Sequence, residues 1–267
     1  MIDVIKQQFT AGMPDNEKLN RIREFLQLAC LKFIYDKGIF NKITFTGGTA
    51  LRLIFGMRRF SEDLDFSLFD KKGYSFSGLN SEILRGFSLN GINVESAPKE
   101  EKTVHSAMFK FSGVLKATGL SPLEGQKLSI KLEIDTNPPK GGNLTETLVN
   151  KVYVLNLVHF DLPSLFATKL HACFYRKYLK GRDYYDLIWY LSRKVKPNLL
   201  LLNNAIAQTQ GENPRLDEAG FKKFLLGHLE KVDLSLAKKD VERFLEDKAE
   251  LALFDSKAIQ AAIENAY

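Results

Sequence analysis

Only two cysteines, Cys30 and Cys173, occur in the 267 residues, and both sit in apolar stretches with helical spacing. That excludes a disulfide framework and a thiolate metal site, so the two read as reduced core thiols of a cytoplasmic protein. The histidines His105, His159, His171 and His228 show no ligand spacing with one another or with the cysteines, which leaves no histidine-based metal site to argue for. No apolar run approaches the roughly 18 residues a membrane-spanning helix needs. The opening Met-Ile-Asp-Val-Ile-Lys-Gln-Gln lacks a basic segment followed by an apolar block, so a secretory signal is not expected. Repeats and low-complexity tracts are missing too. With 45% hydrophobic residues, disorder is excluded and a full globular core is expected. The net charge of +6 and a pI near 9.1 favour an anionic partner, though the excess is modest for this length.

What is present is concentrated between Phe45 and Phe66, FTGGTALRLIFGMRRFSEDLDF. From Asp63 the chain alternates, so Leu64, Phe66 and Leu68 share one face of a strand while Asp63, Asp65 and Ser67 share the other. Two carboxylates so close repel by about 1 to 4 kcal/mol unless a cation lies between them. Oxygen donors on a rigid strand suit Mg²⁺, which prefers to share substrate phosphates. Upstream, Ile43 to Thr46 read as a short strand, and Gly47-Gly48 lets the backbone bend and approach a ligand. Thr49 is expected to cap the following helix, whose first turn offers free N–H groups to a phosphate. Read singly, a Gly-Gly turn is only a turn and an acidic strand face only a solvated edge. Their order is what points to a metal and a triphosphate.

Leu128 to Asp135 repeat the alternation, with Ile130, Leu132 and Ile134 inward and Lys131, Glu133 and Asp135 on the other face, before Asn137-Pro138-Pro139 stops the strand. Placed beside the Asp63–Asp65 strand, it supplies a third carboxylate to one metal cluster. Glu133 or Asp135 can fill that position; Glu133 is favoured because apolar residues flank it, whereas Asp135 stands at the strand's fraying end.

Pro163 opens a helix capped by Asp161, with an apolar stripe through Leu165, Phe166, Leu170 and Cys173. Lys169 interrupts that stripe, either as a border lysine snorkelling to water or as a cation reaching inward to a β- or γ-phosphate. After Lys180-Gly181 a second helix begins at Arg182. Asp183 fits a first-turn acid complementing the helix dipole, whereas Asp186 sits among Leu187, Ile188, Tyr190 and Leu191 and needs a partner, Lys169 or Arg182. Arg52, Arg58 and Arg59 lie near the Gly-Gly turn, and Arg176, Lys177, Lys180, Arg182, Arg193, Lys194 and Lys196 follow Lys169. These basic residues track an RNA backbone, with Tyr175, Tyr178, Tyr184 and Tyr185 as stacking surfaces, or else form a solvated face over core aromatics.

The spacing predicts a helix over 15–37, a short one over 81–89, strands over 92–95, 104–115 and 127–135, a hinge over 138–142, and helices from 163 to the end. The fold class expected is α/β (α+β), a mixed sheet with flanking helices followed by a helical domain. The domains expected are 1–160 and 161–267.

At this point the chain resembles the AbiEii nucleotidyltransferase toxin family, within the DNA polymerase β-like nucleotidyltransferase superfamily. The motifs that carry the resemblance are Gly47-Gly48; Arg59, Ser61, Asp63, Leu64, Asp65 and Phe66; the strand Ile130 to Ile134 with Glu133; Lys169, Leu170, Ala172 and Arg176; and Arg182, Asp183, Asp186 and Leu187. It implies a pyrophosphate-releasing enzyme that moves a nucleotide from an NTP with one or two Mg²⁺ ions. The metal would be held by Asp63, Asp65 and Glu133, with Asp135 as the rival third ligand. Gly47, Gly48, Thr49, Arg59, Ser61, Lys169 and Arg182 would bind the nucleotide, and Asp183 or Asp186 would position Lys169 or the acceptor. It further implies a toxin of a toxin–antitoxin, abortive-infection system, acting on the 3′ end of tRNA and opposed by a transcriptional-regulator antitoxin. A transferase acting on a small molecule or a protein hydroxyl, and an NTP-binding module without turnover, are the alternatives.

Overall fold

The computed structural model describes residues 1–230 and 232–267. In chain order its elements are α1 (Ile2–Lys6), α2 (Asp15–Asp36), β1 (Ile43–Thr46), α3 (Gly47–Phe55), β2 (Leu64–Leu68), α4 (Phe76–Leu89), β3 (Asn93–Glu100), β4 (Val104–Ser112), α5 (Val114–Ala117), β5 (Leu128–Asp135), β6 (Leu144–Asn150), β7 (Val154–Phe160), α6 (Leu162–Tyr175), α7 (Gly181–Ser192), α8 (Leu199–Gln210), α9 (Glu218–Leu229), α10 (Leu234–Val241) and α11 (Ser256–Ala266). The chain forms two compact units. The first holds Met1–Gly56, Phe60–Pro138 and Glu146–His159; the second holds Met57–Arg59, Pro139–Thr145 and Phe160–Tyr267.

The first unit is built on a seven-stranded mixed sheet in the order β3-β4-β5-β2-β1-β7-β6. β1 runs antiparallel to β2, β2 parallel to β5, and β5 antiparallel to β4. Alternation gives this sheet a dry face, with Phe45, Phe66, Leu132 and Ile134 all at or near zero exposure. The buried stripe of α2, including Ile22, Leu26, Ala29, Cys30 and Ile34, belongs to the same core. Burial raises the Cys30 thiol well above its ordinary value.

Several elements depart from expectation for local reasons. α4 begins at Phe76 because the Ser75 hydroxyl caps it, accepting from the Gly78 N–H at 3.1 Å. β3 runs on through Pro98, which an edge strand tolerates. The β6–β7 hairpin was not expected: β6 buries only Val149 and leaves Leu148 67% exposed, so its apolar alternation is weak.

In the second unit, Asp161 caps α6 by accepting from the Ser164 N–H at 2.9 Å, with Pro163 in the first turn. Phe166 of α6 stacks on Tyr190 of α7 at a centroid distance of 4.2 Å. Gly181, the first residue of α7, donates its N–H to Asp240 at 2.8 Å and lies against the backbone of α10, where a Cβ would come within 2.7 Å of the Ala237 carbonyl carbon. No helix among the described residues is long and apolar enough to cross a membrane.

The close approach at Gly181 sets a test. Gly181→Ala should lower stability by about 1 to 3 kcal/mol, or several degrees in melting temperature. Gly227→Ala, at an exposed helical position with nothing within 4 Å, should instead raise it by roughly 0.5 to 1 kcal/mol. Equal shifts by circular dichroism melting would refute the packing argument.

Candidate active site

The polar face of the sheet is assembled by register. Thr46 of β1 pairs with Asp65 of β2, Asp65 with Glu133 of β5, and Glu133 with Ser106 of β4, giving one polar row across four strands. Paired residues on neighbouring strands point to the same side, and the strands lie about 4.8 Å apart, so the Asp65 and Glu133 carboxylates are neighbours. Asp63 precedes Asp65 by two residues in the same half-buried stretch. Asp135 falls one face-pair further on, opposite Ser67, and accepts from the Asn137 N–H at 2.9 Å; burial raises its carboxyl above the ordinary range.

The Gly-Gly turn meets this row directly. Gly47 has φ +74°, and a Cβ there would overlap the Asp65 carboxylate and lie 2.9 Å from the Asp65 Cβ. Thr49 does not cap α3; the capping position is Thr46, which makes no side-chain cap bond, and the Thr49 hydroxyl donates instead to the Asp63 carbonyl. That bond fastens the first turn of α3 to the acidic segment. Gln27, buried on α2, adds a second tether by donating to the Ser61 carbonyl at 3.1 Å. Sequence reasoning missed Gln27, although an amide inside the apolar stripe of α2 was the available signal.

Whether these residues suit a divalent cation is decided by donors and placement. The donors are all oxygen, and the backbone brings Asp65 and Glu133 level beside a turn with no side chain in the way, which fits a hard cation. The side chains themselves are drawn to other partners. Lys131 Nζ holds Glu133 Oε1 at 2.8 Å, and among the described residues no three His, Cys, Asp or Glu side chains converge as a ligand set. Burial alone would lower the Lys131 ammonium's pKa; Glu133, and beyond it Asp63 and Asp65, more than offset this and hold it above the ordinary value.

The second unit carries a different cluster. Lys169 Nζ lies 3.0 Å from Asp183 Oδ1 and 2.8 Å from Asp186 Oδ2. Arg176 Nη1 meets Asp183 Oδ2 at 2.7 Å, and Arg59 grips Asp186 with Nε at 2.5 Å and Nη2 at 2.6 Å. Three cations thus surround two carboxylates. Asp186 is fully buried, Asp183 and Arg59 nearly so, and Lys169 keeps only 12% of its side-chain exposure. Burial alone would raise Asp183, but Lys169 and Arg176 outweigh it and hold the carboxyl below its usual range.

This placement revises several expectations. Lys169 neither snorkels to water nor stands free; it is the hub of the network. Of the two partners the sequence suggested for Asp186, the structure shows Lys169; Arg59 is the unforeseen bidentate partner, turned into the network by its Nε and Nη2. Arg182 instead stacks over Phe244 at 4.2 Å. Tyr184 and Tyr185 are buried, hydrogen-bonded to the Cys173 carbonyl and to Glu250, so neither offers a stacking surface. Tyr178 does, being 61% exposed with Arg176 at 5.5 Å and Lys180 at 5.6 Å from its ring.

Comparison with known proteins places this geometry in context. The model of the family described as nucleotidyl transferase AbiEii toxin, type IV TA system, matches residues 31–265. Among solved structures, JHP933 from Helicobacter pylori is similar with a TM-score of 0.55 at 20% identity, over 92% of this chain and 91% of that one. A candidate nucleotidyltransferase from H. pylori is similar with a TM-score of 0.50 at 21% identity, over 92% and 96%. At such identities the likeness shows the fold. No curated protein matches.

The depressed Asp183 carboxyl sets the pH dependence. Its contribution is complete above the unfolded value of about 3.9 and is lost as pH falls through the lower folded value. Asp183→Asn should therefore be destabilised at pH 7 by about 3 to 5 kcal/mol, since it leaves buried cations unpaired. The gap in melting temperature from the wild type should close as pH drops below 4; a constant gap would show that Asp183 is not held ionised by the network.

Proposed function

The chain belongs to the AbiEii nucleotidyltransferase toxin family of type IV toxin–antitoxin systems, and from that footing we propose that it transfers nucleotides from an NTP to the 3′ end of tRNA with Mg²⁺. The observation that carries the reading is the polar row in which Asp65 and Glu133 lie level beside Gly47. Asp63, Asp65 and Glu133 are the residues that would hold the metal. Glu133 is preferred to Asp135 because it, not Asp135, is level with Asp65. One or two Mg²⁺ ions bound there would neutralise the triphosphate and favour loss of pyrophosphate.

The chain's own groups do the rest. Gly47 and Gly48, with the free N–H groups of the first turn of α3, receive a phosphate, and Thr49 keeps that turn in register with Asp63. Lys169 meets an anionic group of the substrate, because its network carries one more positive than negative charge and it is less buried than Arg59, Asp183 and Asp186, though more so than Arg176. Asp183 and Asp186 position that ammonium, and Arg59 in turn fixes Asp186. Exposed Tyr178 between Arg176 and Lys180 suits an unstacked base and the adjoining backbone, which supports RNA as the acceptor. The partner that opposes the toxin is proposed to be an antitoxin of transcriptional-regulator type.

Incubation with labelled NTPs, Mg²⁺ and total tRNA tests this. The wild type should label the tRNA 3′ end, while Asp65→Asn and Glu133→Gln should each lose at least about 100-fold, the scale of one lost electrostatic contact to the transition state. Equal labelling by the variants would refute the metal assignment. Label appearing only on protein or small solute would refute the RNA acceptor.

A further inference from the structure

The acidic row contains a cation of its own. Lys131 stands two residues before Glu133 on β5, as Asp63, just ahead of β2, stands two before Asp65, and the two strands run parallel and in register from Leu64 opposite Leu132. The period of two therefore sends Lys131, Glu133 and the two aspartates to one face. Its ammonium lies 2.8 Å from Glu133 Oε1, with both side chains about a third exposed. No other cation in the described residues is paired with Glu133. The carboxylate that the proposed function gives to the metal is thus already engaged.

We propose that Lys131 is a built-in counter-cation of the acidic strand pair, holding Glu133 in the metal-free protein and yielding it when a divalent ion binds. The inference rests on the reading of Asp65 and Glu133 as metal ligands. An ion pair about a third exposed on both sides is weak enough to be exchanged, because solvent screening and the side-chain entropy of holding it discount its attraction. The consequence is that Lys131 keeps the affinity for free metal low. Merely removing a positive charge from the protein does not reproduce this effect; the charge has to be the one on Glu133. Lys127 provides the comparison, since it lies on the solvated end just before the same strand and pairs with exposed Glu95 at 2.6 Å.

The experiment is Mn²⁺ binding, read from the loss of the free Mn²⁺ signal by electron paramagnetic resonance, on full-length protein without nucleotide. Lys131→Met and Lys131→Gln should bind roughly three- to five-fold more tightly than the wild type. Lys131→Arg, which keeps the charge, and Lys127→Met, which removes one elsewhere, should stay at the wild-type value. Melting temperatures of the variants confirm that each is folded, and the use of two neutral replacements guards against one that is not. Unchanged or weaker binding by both neutral Lys131 variants overturns the proposal, as does equal tightening by Lys127→Met. Asp65→Asn separates the two levels of argument: if it binds Mn²⁺ as the wild type does, or if neither the wild type nor Lys131→Met binds at millimolar Mn²⁺, the metal site itself is refuted and the counter-cation with it.

Discussion

The in-register parallel pairing of Leu64–Leu68 with Leu128–Asp135 is the constraint on which the candidate site depends. It fixes Asp65 beside Glu133, although like charges on neighbouring strands oppose the arrangement by about 1 to 4 kcal/mol. The undersides of the same strands decide the outcome. Leu64, Phe66, Leu132 and Ile134 are all essentially buried, and each such side chain contributes roughly 1.5 to 3 kcal/mol. A slip of one residue by either strand would turn its own two apolar side chains to the polar face and its carboxylate into the core, so the apolar pattern enforces the acidic one. A shift by two residues keeps the faces but would bring Ser67 or Asp63 level with Glu133, and the tethers from Thr49 and Gln27 to the carbonyls of Asp63 and Ser61 act against that slip.

The second unit answers a different problem, that of keeping charge in a dry place. Asp186 has no exposure and Arg59 almost none, so either left alone would carry a desolvation penalty of several kcal/mol. Bidentate geometry from Arg59 satisfies both oxygens of Asp186, and Lys169 then bridges Asp186 to Asp183, whose second oxygen goes to Arg176. Each member is held by at least one other, and no carboxylate oxygen in the network lacks a cation. Lys169 is thereby aimed by two carboxylates rather than by its own flexible stem.

What the sequence disclosed follows from the range of each signal. Alternation over β2 and β5, the Gly-Gly break before α3, and Pro163 with the Asp161 cap are local patterns whose physics acts over a few residues, and all are in the structure. The adjacency of the two acidic strands was conditional in the sequence and is direct in the register. Partners chosen across long separations were not legible. Nothing local told Arg59 to seek Asp186 rather than a phosphate, because an exposed-looking arginine beside a Gly-Gly turn reads the same whichever way its fork finally points. Lys131 was placed on the acidic face by its period, but an alternation pattern carries no information on which neighbour a lysine will grip. β6 was lost for the opposite reason, since a strand with one buried residue lacks the pattern that marks a strand, whereas β7 does alternate, with Leu155, Leu157 and His159 buried, and was overlooked.

The energetic contrast between the two charge clusters implies which of them changes when a ligand arrives. A buried pair such as Arg59–Asp186 costs about 3 to 5 kcal/mol to break, so a ligand would have to surrender most of that in binding energy to rearrange it. The Lys131–Glu133 pair, about a third exposed on both sides, is worth at most about 1 kcal/mol and is the less costly of the two to exchange. The network of Lys169, Asp183, Asp186, Arg59 and Arg176 is therefore a fixed part whose geometry is set in folding. On the proposed metal assignment, the acidic row is the part that would exchange partners.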